Sequence, residues 1–276
     1  MTSGSNVKRA AYQRVPDMAV VSLFLVLFMV IGVTNLSAQS ANAFVDLDKA
    51  YKFLGNWTRD TTDPRGNCGD LKDERGSPLT DCSIPIDRLP LNSRAVGWIK
   101  YVDKMGSSVL ADCSAITIVN LLGDVRPFNI STKSNEIVIN YEHANIHRDV
   151  WMDGRGHPPP TDLFYQGDST GHFEGNDLVI DSTNYTFDPD GLDDHANLPT
   201  SARKHLIERY SLPTPETMKI TITIEDPTFL SKPFTFVHMW KKSNKPLVGW
   251  WECDPEITRR EMELTYPQTK YPADDR

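Results

Sequence analysis

The segment MKITITIED (Met218–Asp226) sets the tightest limit on the fold. Met218, Ile220, Ile222 and Ile224 alternate with Lys219, Thr221 and Thr223. Successive side chains point to opposite faces of a strand, so this strand buries one face only. Its neighbours read the same way: KHLIERYSL (Lys204–Leu212), a turn over Pro213–Glu216, PFTFVHMWKK (Pro233–Lys242) and LVGWWECD (Leu247–Asp254). Upstream, HFEGNDLVIDSTNYTF (His172–Phe187) is a hairpin turning at Gly175-Asn176. EIVINYEHANIHRDVWM (Glu136–Met152) reads as one long β-branched strand, and FLGNWTRD (Phe53–Asp60) opens the series. Roughly seven or eight strands, with no βαβ rhythm and no internal repeat, give an all-β antiparallel sheet. Closing that sheet into a barrel removes its exposed edges.

One helix is expected, LNSRAVGWIKYVDK (Leu91–Lys104). Asn92 or Ser93 caps it, and Ala95, Trp98, Ile99 and Val102 share a face. Residues 39–52 read as a polar, mobile lead-in. Thr61–Pro90 reads as a long loop, and 188–203 as an acidic loop.

The N-terminus carries Lys8, Arg9 and Arg14, then the apolar run Met18–Val33, then small residues ending at Ala38. That is the layout of a secretory signal. The run is shorter than the roughly 20 residues of a comfortable bilayer span. Cleavage after Ala38 is expected, leaving one barrel domain over 39–276, secreted or periplasmic. A retained inner-membrane anchor is the alternative. The formal charge of −8 and the lack of a basic run argue against nucleic acid or an anionic membrane as partner. The four cysteines, Cys68, Cys82, Cys113 and Cys253, form no CxxC pair. Export makes two disulfides the natural expectation. Of three connectivities, Cys68–Cys82 with Cys113–Cys253 is favoured, the first closing a short loop and the second tying the start of the core to its end; free thiols are the alternative.

The chemistry-bearing stretch is RDVWMDGRGHPPP (Arg148–Pro160). On a strand, His147 and Trp151 share one face while Arg148 and Val150 share the other. Asp153-Gly154 is a turn signal. A plain turn has no need of the polyproline stop, which fixes φ and holds His157 extended before it. Two readings stand. In one, His157 is a general base or acid, Asp153 orients it, and Arg155 or Arg148 stabilises an anion. In the other, the charges are solvated around a hairpin, and Arg148 is a buried structural residue paired with Glu142 or Asp181.

Two resemblances follow from these residues. Gly55-Asn56-Trp57 resembles the Gly-x-Trp that opens lipocalin-like (calycin) barrels, which implies a calycin-like barrel. Residues 113 to 253 resemble a family of uncharacterised exported bacterial proteins. Arg148, Asp153, Gly154, Arg155, His157 and Pro158 match its first segment. Gly167, Ser169, Gly171, Glu174, Gly175, Leu178, Val179 and Asp181 match its second. Asn176, read as an insertion in a Glu-Gly-Asp run, is expected to widen the hairpin by one residue. The resemblance implies fold and export and names no substrate.

GDSTG (Gly167–Gly171) fits the Gly-x-Ser-x-Gly nucleophile elbow, but that motif needs a helix after it, and a hairpin follows here. Its glycines read as close-packing positions in a strand, with Ser169 available to line a pocket. His143 and His147, on one strand, would lie about 13 Å apart, too far to chelate one ion. HExxH is absent, DPDGLDDH (Asp188–His195) lacks EF-hand spacing, and no metal is expected. With no P-loop and no Gly-x-Gly-x-x-Gly after a strand, no cofactor is expected either. Tyr141, Trp151, Tyr185 and Trp250 complete the candidate binding residues. Two functions fit: a cofactor-independent acid–base enzyme of isomerase, lyase or hydratase type acting on a small hydrophobic or aromatic molecule, or a lipocalin-like protein that binds such a molecule unchanged.

Overall fold

The computed structural model describes residues 46–63, 88–101, 117–119, 126–143, 146–193 and 198–248. The leader read at 1–38, all four cysteines and Trp250 lie outside these residues, as do most of Thr61–Pro90 and residues 194–197 of the acidic segment.

Eleven strands are described: β1 (Gly55–Arg59), β2 (Phe128–Lys133), β3 (Glu136–Tyr141), β4 (His147–Trp151), β5 (Asp168–Glu174), β6 (Asp177–Thr183), β7 (Asp188–Asp193), β8 (Leu198–Thr200), β9 (His205–Thr214), β10 (Thr217–Glu225) and β11 (Phe234–Ser243). Nine close into a barrel in the order β1-β11-β10-β9-β6-β5-β4-β3-β2. Every neighbouring pair in it is antiparallel except β4 and β5, which run parallel and share only Val150↔Ser169 and Trp151↔Thr170. β7 and β8 pair with each other outside the barrel.

Alternation positions the core as the sequence predicts. Met218, Ile220, Ile222 and Ile224 of β10 are fully buried, and Leu206 and Tyr210 of β9 meet them inside. Burying each such side chain contributes roughly 1.5–3 kcal/mol. Trp57 of β1 is also fully buried, its indole N–H donating to the Phe53 carbonyl at 2.8 Å. The Lys242 ammonium lies 5.5 Å from its ring.

Several expectations are corrected. The lead-in is ordered from Asp46: a helical turn (Leu47–Ala50) and a 3-10 turn (Tyr51–Phe53) carry Ala50 and Phe53, three residues apart, into the core and leave Tyr51 exposed. Glu136–Met152 is not one strand. The chain reverses between Tyr141 and Ile146, where the Tyr141 N–H donates to the Ile146 carbonyl at 2.7 Å, so β3 and β4 pair antiparallel. The β5–β6 hairpin keeps a two-residue turn, since Glu174 pairs directly with Asp177 around Gly175-Asn176. Asp188–Asp193 is a strand rather than part of a loop, held by β8.

Helix α1 (Ser93–Tyr101) forms where expected. Asn92 is its cap: Oδ1 accepts the Arg94 and Ala95 N–H groups at 3.0 and 3.1 Å. Ala95 is buried, and Trp98 packs edge-on against Phe187 and Phe229.

Candidate functional site

The opening motif is neither a hairpin nor an isolated loop. After Trp151 the chain leaves β4 and crosses to the parallel strand β5 as a strap over residues 152–167. A hairpin at Asp153-Gly154 would return the chain antiparallel, whereas the parallel seam requires a crossover. Gly154 still supplies the left-handed φ of 74°. The Asp153 carboxylate accepts hydrogen bonds from the Arg155 guanidinium and, at 2.8 Å, from the Asn135 amide. Arg155 holds the Asp153 carboxyl down at about pKa 2. The same guanidinium sits 3.7 Å above the Trp151 ring.

His157 faces the outer wall of the barrel. Its Nδ1 lies 2.6 Å from Asp168 Oδ1 and its Nε2 lies 3.1 Å from Asp181 Oδ1. Asp181 also takes His205 Nε2 at 2.9 Å, and His205 Nδ1 lies 3.7 Å from Glu225. Carboxylates and imidazoles thus alternate across β5, β6, β9 and β10. The hydrogen bond with Asp181 raises the His205 pKa, and His205 in turn lowers that of Asp181. The polyproline behind His157 is tied down separately. The Asn184 side-chain amide reaches the carbonyls of Pro158, Pro159 and Asp162 at 3.3, 2.8 and 3.0 Å. Asn184 itself adopts a left-handed φ of 59°.

Arg148 points the other way, into the barrel, as its alternation with His147 predicts. Its Nη1 and Nη2 donate to both oxygens of Glu208 at 3.1 and 2.6 Å. Nε donates to Ser169 at 2.9 Å and Nη2 to Ser182 at 2.6 Å. The Tyr210 hydroxyl donates to Glu208 at 2.7 Å. Burial works against the Arg148 charge, and Glu208 more than restores it. Burial pushes the Tyr141 hydroxyl up to about 12 and raises those of Tyr185 and Tyr210, so all three rings stay neutral beside the ion pair. The structural reading of Arg148 therefore stands, with its partner corrected: Glu208, on the inward face of β9, rather than Glu142 or the outward-facing Asp181.

The two glycines of GDSTG are close-packing positions. A Cβ on Gly167, whose φ is 72°, would sit 2.5 Å from the Tyr185 ring. On Gly171 it would sit 2.6 Å from Met152 Sδ and 2.8 Å from Val150. Ser169 between them is buried, bonded to Arg148 and, at 3.0 Å, to Ser182. Strand, not helix, follows it, so no nucleophile elbow forms.

Between the strap and the β4–β5 seam lies a cavity of about 560 Å³. Trp151, Phe164 and Pro158 give it apolar walls; His147, Asp149, Arg155 and Asp168 give it polar ones; Arg148 and Ser169 border it at the seam. Of the residues expected at a site, Arg148, Trp151, Arg155 and Ser169 reach this cavity. His157 stands one residue behind it, held by Asp168, and Asp153 reaches it only through Arg155. Tyr141 and Tyr185 are buried inside the barrel with Arg148. Sequence reasoning missed Asp149, Asp168, His205 and Glu208. The outward alternation of His147, Asp149 and Trp151 was the available signal for the first.

No family model matches the chain, and no curated protein is significantly similar to it. Two solved structures are similar at low identity. One is a secretary abundant heat soluble (SAHS) protein from Ramazzottius varieornatus, at 10% identity and a TM-score of 0.32, covering 70% of this chain and 96% of that one. The other is a point mutant of the fluorescent protein UnaG, at 11% identity and a TM-score of 0.32, covering 71% and 99%. The barrel itself is established by its own closed strand pairing.

Proposed function

We propose that the protein binds a small, largely apolar or aromatic molecule without transforming it, in the cavity between the strap and the β4–β5 seam. The observation that carries this is the separation of the chemical groups. His157 is engaged through both ring nitrogens on the outer wall. Arg148 is engaged through Nε, Nη1 and Nη2 inside the barrel. An acid–base mechanism needs its base and its anion stabiliser within reach of the same reacting atoms. Here Arg148 is turned into the barrel onto Glu208, and Arg155, the anion stabiliser on His157's side, is committed to Asp153. The cavity, by contrast, has the size and the aromatic walls of a small-molecule site.

Equilibrium dialysis of the full chain against a panel of small aromatic molecules tests the reading. Saturable binding is expected, with the ligand recovered unchanged and the binding lost in Trp151→Ala. Recovery of a chemically altered product, with turnover abolished in His157→Ala, would overturn it in favour of an acid–base enzyme.

A further inference from the structure

The charges bordering the cavity are not equally available to a ligand. Arg148 is committed to Glu208, Ser169 and Ser182. Arg155 is committed to Asp153 and stacked on Trp151. Asp168 accepts from His157. Asp149 is different: this half-buried carboxylate makes no hydrogen bond or ion pair with any of the described residues. Across the antiparallel ladder it faces Val138, which offers it no charge. His147 and Trp151 flank it on the same outward face of β4.

We infer, resting on the binding reading above, that the ligand carries a positively charged amine joined to an aromatic or apolar body. The ammonium sits on Asp149 and the body lies along Trp151 and Phe164. Residues two apart on a strand are about 7 Å apart, which matches a ring and an ammonium joined by a two-carbon arm. An ammonium–carboxylate pair is a charge-assisted hydrogen bond, and the low-dielectric walls of a cavity strengthen it relative to water. A carboxylate ligand gains no such partner. Both guanidinium groups at the cavity already hold carboxylates, and freeing Arg148 would strip the buried Glu208 of its counter-charge. The cavity therefore selects for positive charge although two arginines border it.

Three probes of one shape separate the contributions: tryptamine, its neutral analogue tryptophol, and indole-3-acetate, titrated calorimetrically into the full chain. Tryptamine is expected to bind about tenfold or more tightly than tryptophol, the range of a charged hydrogen bond, with indole-3-acetate weakest. Asp149→Asn removes the preference by weakening tryptamine alone. Its melting temperature stays at the wild-type value, because Asp149 stabilises nothing among its described neighbours. Trp151→Ala weakens tryptamine and tryptophol alike. Equal binding of tryptamine and tryptophol overturns the charge inference and leaves the cavity reading intact. Tightest binding of indole-3-acetate overturns the inference in the same way. Loss of all three probes overturns the inference and the proposed function together.

Discussion

Two sets of charged side chains span the same strands on opposite faces of the barrel wall. Inside, Arg148 and Glu208 join β4 to β9, with Ser169, Ser182 and Tyr210 filling the remaining hydrogen-bond sites. Outside, His157, Asp181 and His205 link the strap to β6 and β9. Their solvent differs. The Arg148 and Glu208 side chains are 2% and 0% exposed, whereas those of Asp181 and His205 are 38% and 31% exposed. A buried charge has no water to fall back on, so the inner pair is fixed in one arrangement. The outer groups exchange their partners for water at little cost, which makes them tunable by pH. The inner set specifies the barrel, and the outer set holds the strap that walls the cavity.

The largest expected effect breaks the inner set. Arg148→Met strips the buried Glu208 of its counter-charge, leaving it the Tyr210 hydroxyl, and is expected to cost about 3–5 kcal/mol. Adding Glu208→Leu in the same chain should return most of that loss, since an apolar pair of similar volume tolerates the site. Chemical denaturation of the two single variants and the double variant measures this as a coupling energy. A loss under about 1 kcal/mol for Arg148→Met, below the range for a broken buried pair, would mean that the inner pair does not hold β4 to β9.

The contrast also separates what the sequence made legible from what it did not. Strand alternation placed Arg148 on the opposite face from His147 and Trp151, and the structure agrees. Leu206, Glu208 and Tyr210 share a face by the same rule, so a carboxylate on a buried face was visible in KHLIERY. Which residue pairs with it was not, because the ladder joining β4 to β9 runs through β5 and β6 and is set by barrel closure. The strap failed for a related reason. Asp153-Gly154 is a local hairpin signal, and it was overridden by a parallel seam that only the global topology dictates. The polyproline braces His157 by fixing the backbone after it. It is braced in turn by Asn184, whose left-handed backbone nothing in the sequence marked.

Asn184 gives the intermediate effect. Asn184→Ala removes the amide that serves the carbonyls of Pro158, Pro159 and Asp162, and puts a Cβ-bearing residue without a compensating side chain at φ 59°. A loss of about 1–3 kcal/mol is expected for hydrogen bonds removed at a partly buried site. The signature that distinguishes it from general destabilisation is local. Proteolysis should begin within residues 158–163 at temperatures where the wild-type strap resists cleavage. Cleavage elsewhere first would mean that His157, not Asn184, is the main anchor of the strap.

The smallest effect lies on the outer wall and depends on pH. The bond with Asp181 raises the His205 pKa above its ordinary 6.5, so its stabilising contribution is complete below that value and fades as pH rises through the raised one. Asp181 is lowered from 3.8, so its contribution is complete above that value and fades as pH falls through the lowered one. The pair therefore stabilises the fold most between roughly pH 4 and 6.5, the interval between the two unperturbed values. Both side chains are about a third exposed, and solvent screening limits the gain to about 1 kcal/mol or less. His205→Asn should lower the melting temperature across this interval, with the difference from wild type closing as pH rises through the raised His205 pKa. Because Asp181 also holds His157, the same substitution should leave the strap in place, whereas Asp181→Asn should both lower the melting temperature across the interval and expose the strap to protease. If His205→Asn exposed the strap as strongly as Asp181→Asn does, the outer groups would act as one unit rather than as two bonds sharing a carboxylate.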